Sequence, residues 1–312
     1  MATDFTLGFL LALFCALFWA ALDISRKKLG REMTATGAVA GLMLLHILFL
    51  NPLLITGSVV DGDGAVYDTL LVGYPELEWL YFAPTSLSIV LNLAANLLFL
   101  RAVQISPLSL TTPYLAFTPV FTAISALIVL GQIPTTAGWV GIVIVCLGAF
   151  FMNPGDEDDG ILAPLKALWT ERGSFYMLIV ALLWSITPVL DKQASEMTSP
   201  MWHTMFLAGS VGLAFLVYRR IHDSSFRPLV EEFKAIPLWL ILGGLFAVGA
   251  MVLQLTSYEF IDVAYVETVK RAVGVTAAIA AGYFFFGERD IRRRLLGALV
   301  MSVGVGLILM AG

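Results

Sequence analysis

The chain has 312 residues, of which 59% are hydrophobic and 13% charged, with a mean hydropathy of +0.89 and a formal net charge of −5. A soluble domain carries about 25% charged residues, so this composition excludes an ordinary water-soluble protein and places the chain in a bilayer. No nucleic-acid partner is expected; the lipid bilayer and a small molecule are.

A spanning helix needs about 20 mostly apolar residues. The first such stretch is 5–25. No basic residue precedes Phe5, and Trp19 to Asp23 is a poor small-residue cleavage site, so this stretch reads as a retained span rather than a signal peptide. Further spans are expected at 33–56, 79–101, 107–130 and 136–152 and, beyond a hydrophilic stretch, at 174–192, 199–220, 237–258, 263–286 and 291–311. That makes ten. Runs such as 142–145 and 295–300 lack the alternation of a membrane strand, so the spans are expected to be helices. Asp61, Asp63 and Asp68, and the run Asp156-Glu157-Asp158-Asp159, lack the ligand spacing of a calcium loop and read as solvated acidic turns; no metal and no cofactor are expected. Phe226, Leu229, Val230 and Phe233 recur at three- and four-residue spacing among charged neighbours, the pattern of a short helix at the membrane surface. Cys15 and Cys146 fall in different spans and imply neither a disulfide nor a cysteine metal site.

A duplication runs through the chain. Ala16-Leu17-Phe18-Trp19 returns as Ala181-Leu182-Leu183-Trp184, 165 positions on, while Thr112, Gly131, Gly141 and Gly148 return as Thr268, Gly287, Gly297 and Gly304, 156 positions on. Ten spans in two copies give five per copy, and an odd number forces the second copy to enter the membrane from the opposite side. The expected fold is therefore an all-α integral membrane protein, ten transmembrane helices as two inverted five-helix repeats, 1–152 and 173–312, joined by a polar linker at 153–172. A doubled unit of this kind points to a transporter with its site near the midplane, where the repeats meet.

Fifteen of the 18 Lys and Arg residues follow odd-numbered spans, Lys192 alone lies on the opposite side, and Lys270 and Arg271 lie within a span. Basic residues favour cytoplasmic loops. Charge thus puts the odd-numbered loops in the cytoplasm of a multi-pass plasma-membrane protein, with both termini outside.

Charges inside the slab carry most of the functional information. Glu267, Lys270 and Arg271 share one stripe of the ninth span by their three- and four-residue separations. The two cations lie about 10 to 12 Å into a slab about 30 Å thick, where each would cost roughly 2.5 to 3.5 kcal/mol facing lipid. Either they line a cavity, where Arg offers a fork matched to carboxylate or phosphate, or they snorkel to the interface beside Glu267. Gly274 and Ala278 leave room on the same stripe. Under the repeat offset Lys270 corresponds to Tyr114 and Glu267 to Thr111, so the other half offers hydroxyls. Ser88, Asn92 and Asn96 form a polar stripe on the third span that lines the cavity or bonds across helices. Glu267 is the proton-coupling candidate. Trp19, Trp184 and Trp202 read as interface anchors, and His46 and His203 as isolated packing or surface histidines. Asp191 with Lys192 reads as an interfacial ion pair.

Thr112-Pro113-Tyr114-Leu115-Ala116-Phe117-Thr118-Pro119-Val120-Phe121, followed by Leu130-Gly131-Gln132, Gly141 and Gly148, resembles the EamA-type unit of the drug/metabolite transporter superfamily, and Lys270-Arg271, Phe286-Gly287-Glu288, Gly297 and Gly304 resemble its second copy. Gln132 departs from that pattern, which has an acid as at Glu288. The resemblance implies cytoplasmic termini, opposite to the loop charges. Val269-Lys270-Arg271 with Val275 is similar, more locally, to the ninth helix of sugar-phosphate translocators, which implies that Lys270 and Arg271 hold phosphate or carboxylate; the fourth span, however, has no lysine. The function expected is secondary transport of a small polar, anionic metabolite by alternating access. A channel or a non-transporting membrane adaptor is the alternative. An enzyme is not expected, because HExxH and GxSxG are absent and the three histidines are far apart in sequence.

Overall fold

A computed structural model of the protein describes residues 2–59, 73–106, 112–151, 171–223, 226–286 and 292–310. Among them every regular element is helical: α1 (Ala2–Leu29), α2 (Ala35–Val59), a 3-10 turn (Trp79–Tyr81) leading into α3 (Phe82–Ile105), a second 3-10 turn (Thr112–Phe117) leading into α4 (Thr118–Leu130), α5 (Thr136–Phe151), α6 (Arg172–Glu196), α7 (Pro200–Asp223), α8 (Arg227–Ala235), α9 (Pro237–Ser257), α10 (Val263–Phe286) and α11 (Arg292–Leu309).

Six helical stretches among these residues are long and apolar enough to cross a membrane: Asp4–Leu29, Ala35–Val59, Trp79–Ala102, Arg172–Glu196, Pro200–His222 and Pro237–Ser257. Three shorter apolar helices, Tyr114–Leu130, Thr136–Phe150 and Leu296–Leu309, fall in the fourth, fifth and tenth expected spans. The ninth span is α10, whose 24 residues include Glu267, Lys270 and Arg271. Large apolar side chains stand outward, among them Ile128, Leu48 and Val303 at 60% exposure or more. Such a surface suits lipid and not water.

The fourth span differs from its expected form. Its α-helix begins only at Thr118, after six residues of 3-10 turn. Pro119 lies in the first turn of α4, where a missing N–H breaks no bond, so it starts the helix instead of kinking it. The short amphipathic helix is present as α8, entered through Pro228.

The chain forms two compact units, each drawing on both halves of the sequence. One comprises Met1–Leu17, Val90–Val189 and Ser257–Gly312; the other comprises Phe18–Ile89 and Leu190–Thr256. Helices α1, α3 and α6 therefore each pass from one unit to the other.

In the first unit α5 lies along α11, and α4 packs on α10. Glycines allow the α5–α11 approach. A β-carbon on Gly141 would stand 2.6 Å from the carbonyl oxygen of Gly304, and one on Gly304 would stand 2.7 Å from that of Gly141. Two turns along, Gly148 faces the Gly297 carbonyl at 3.1 Å. Gly141 and Gly297 are 156 positions apart, as are Gly148 and Gly304. Each glycine thus touches the counterpart of the other, the partner exchange of an isologous contact.

The second unit repeats the arrangement in α2 and α7. Gly209 sits against Ile47 at 2.8 Å and Gly212 against the Leu44 backbone at 3.1 Å, both measured from the added β-carbon. Leu44 and Gly209 are 165 positions apart, and so are Ile47 and Gly212. Helix α8 is clasped to this pair. Arg219 at the end of α7 donates to Glu232 of α8 at 2.8 Å and to Thr36 at 3.1 Å, while the Glu232 carboxylate accepts the backbone N–H of Thr34 at 3.2 Å. Thr34 in turn caps α2, its hydroxyl accepting the Gly37 N–H at 3.1 Å. Gly37 has no side chain because the Glu232 carboxylate occupies that space.

Candidate functional site

Helix α10 starts where α4 ends. Gly131 closes α4 in the left-handed conformation, φ 67°, which glycine adopts without strain. The next side chain, Gln132, accepts the N–H of Val263, the first residue of α10, at 3.2 Å. That satisfies one of the four donors a helix start leaves open. A carboxylate there would also favour the positive helix end, which explains how Gln and the acid of the EamA pattern can share this position.

One turn into α10, Lys270 Nζ lies 2.7 Å from Glu267 Oε1, and the Tyr258 hydroxyl donates to the same oxygen at 2.7 Å. Glu267 is 8% exposed. The adjacent Arg271 extends toward α4, with Nη2 3.4 Å from the hydroxyl oxygen of Thr118. The three charged side chains together carry one net positive charge. They can hold an anion if Lys270 exchanges Glu267 for it and the Arg271 fork closes on the same group.

The other expected site residues fall in the same unit. Tyr114 is 1% exposed, in a cluster with Ala95, Ala102, Met177 and Val180. Asn96 donates its amide to the Asn92 carbonyl at 2.8 Å, the local bond of a helical turn. Thr111 lies outside the described residues. Thr118 is a further site residue that sequence reasoning quoted without singling out. Its counterpart under the 156-residue offset is Gly274, so the duplication gave no signal for it.

A second polar cluster was not foreseen. In the α2–α7 unit the Ser88 hydroxyl donates to Asp191 Oδ1, His203 Nε2 lies 3.3 Å from the same oxygen, and His203 Nδ1 lies 3.1 Å from the Tyr81 hydroxyl. His203 is fully buried and Asp191 is 8% exposed. Lys192, the expected partner of Asp191, reaches Glu196 at 3.1 Å. Among the described residues no group of three or more His, Cys, Asp or Glu is placed to hold a metal.

The model of the EamA-like transporter family matches residues 6–153 and again 171–310. The chain belongs to the EamA-like transporter family. It is accordingly a multi-pass membrane transporter, in keeping with the drug/metabolite transporter resemblance; the narrower likeness to sugar-phosphate translocators is not part of that match. Twenty-nine chains of solved structures match. One of them, a crystal structure, is similar over 98% of this chain and 99% of its own at a TM-score of 0.69 and 12% identity, which speaks to the fold alone. No curated protein sequence matches.

Proposed function

We propose that this EamA-like protein is a secondary carrier for a small polar, anionic metabolite, built as two inverted five-helix repeats, 1–152 and 173–312, that alternate access to a site on α10. The reciprocal contacts of Gly141 with Gly304 and of Gly148 with Gly297, together with those of Gly209 with Ile47 and Gly212 with Leu44, support the inverted repeat. Two independent helix pairs follow the two offsets found in the sequence. The nine apolar helices among the described residues, together with α10, support the ten expected spans.

The observation that carries the substrate class is the excess positive charge on α10, inside an otherwise apolar stretch. Each cation there would cost roughly 2.5 to 3.5 kcal/mol against lipid, a cost that an anion bound beside them would offset. Glu267 competes with that anion for Lys270. A proton on Glu267 would release Lys270, which keeps it as a coupling candidate. Tyr114, Thr111, Asn92 and Asn96 would supply hydroxyl and amide contacts. The loop charges support odd-numbered loops in the cytoplasm of the plasma membrane.

Purified protein screened by thermal shift against carboxylate and phosphate metabolites should rise in melting temperature with its substrate. In proteoliposomes that substrate should enter saturably, and the double variant Lys270→Gln, Arg271→Gln should fold and not transport. Undiminished transport by that variant overturns the assignment, and non-saturating flux favours a channel.

A further inference from the structure

We propose that Asp191 and His203 form a proton-binding site inside the α2–α7 unit, walled by Ser88 and Tyr81. Its role as a point where a proton gradient enters transport rests on the carrier reading above; the proton binding itself does not.

The geometry accepts both charge states. A neutral imidazole donates from Nε2 to Asp191 and accepts from the Tyr81 hydroxyl at Nδ1. An imidazolium donates from both nitrogens, to the carboxylate and to the phenol oxygen, since a tyrosine hydroxyl accepts as well as donates. No heavy atom has to move between the two. With a neutral ring the cluster holds one buried negative charge. Taking up a proton on the ring makes it neutral, with both ring nitrogens still bonded.

Tyr74, Glu76 and Glu78, all exposed, precede Tyr81, with the Tyr74 ring 5.4 Å from that of Trp202. Helix α3 contributes Ser88, and its one ionisable residue, Arg101, lies thirteen positions farther along. Helix α2 has only His46, whose Nδ1 is held by the Leu42 carbonyl at 3.0 Å, and α9 has none. On α6 the adjacent Lys192 is engaged by Glu196. The remaining ionisable residues of α7, from Tyr218 to Asp223, begin about 22 Å beyond His203 at 1.5 Å per residue. Arg219 there is held by Glu232 of α8, and α1 carries Asp23, Arg26, Lys27 and Lys28 in its last two turns.

Position gives the site its mechanical meaning. Helix α3 leaves this unit after Ile89 and α6 enters it at Leu190, so the Ser88–Asp191 bond joins the two helices beside their crossing points. Pro188 removes a backbone donor from α6 at the same place.

Protons are the probe, and no substrate is needed. The protein has three histidines. With His46→Gln and His222→Gln, His203 is the sole source of histidine nitrogen signals in 15N-labelled protein. Its ring nitrogen signals should report a change of protonation along a pH series. Asp191→Asn should displace that profile, and His203→Gln should remove about one proton from the uptake counted with an indicator dye over the same pH series. A ring that keeps one state throughout, or a profile unmoved by Asp191→Asn, overturns the proposal. If Asp191→Asn does not fold, the single-histidine titration decides alone. Transport can fail while this titration succeeds, or the reverse, so the two readings are tested separately.

Discussion

Placing a methyl group on Gly141 tests the approach of α5 to α11. The added carbon would meet the Gly304 carbonyl oxygen at 2.6 Å, whereas ordinary contact begins at 3.4 Å. Helix α5 must therefore retreat from α11 by about 0.8 Å, the difference of those values, and Gly304→Ala asks for about 0.7 Å from its 2.7 Å. The obstacle is backbone, which no rotamer change can remove. Overpacking of this kind costs about 1 to 3 kcal/mol. A glycine-to-alanine change also gains up to about 1 kcal/mol of helix propensity, so the proper control is Gly306→Ala, where no atom of another described element lies within 4 Å. Relative to that control, Gly141→Ala and Gly304→Ala should each melt about 2 to 12 °C lower, at roughly 2 to 4 °C per kcal/mol. Fluorescence-monitored melting in detergent reads this. The double variant should lose less than the sum, because one separation accommodates both methyl groups. Equal melting of Gly141→Ala and the control, or full additivity, refutes the reciprocal contact.

Glu232→Ala should destabilise the α8 clasp by about 3 to 5 kcal/mol by leaving Arg219 buried beside two threonines, and the double change Arg219→Leu, Glu232→Leu should cost less, both read by melting. Gln132→Leu should cost about 1 to 3 kcal/mol by removing the acceptor for Val263, while Gln132→Glu should retain stability and uptake. Met310→Cys, at an 82% exposed position, should react with an impermeant maleimide from outside intact cells, since Cys15 and Cys146 are buried. Labelling only after permeabilisation would reverse the proposed orientation.

Much of the helical layout was legible because a bilayer demands long apolar runs, and Ala35–Val59 or Pro237–Ser257 has little other use. The duplication was legible at glycines for the same reason it persisted: Gly141 and Gly304 touch backbone, and no larger residue fits. The start of α4 was not, because a 3-10 turn is as apolar as the helix it feeds and only Pro113 and Pro119 mark it. On α10 the pairing of Glu267 with Lys270 followed from helical spacing, but Thr118 comes from another helix, 153 positions away. Asp191 and His203 escaped because their meeting depends on the reversal between α6 and α7, and Tyr81, 122 positions from His203, completes the cluster. A lone histidine in an apolar run carries no mark of such a partner.

Because each compact unit interleaves helices from both ends of the chain, the order of synthesis matters. When α5 emerges, the glycine face that will meet α11 has only lipid against it, and α2 waits likewise for α7. A ribosome must add well over a hundred residues before the early surfaces are covered. Cutting the gene at the polar linker should therefore yield two fragments that persist only when made together, each acting as the missing chaperone of the other.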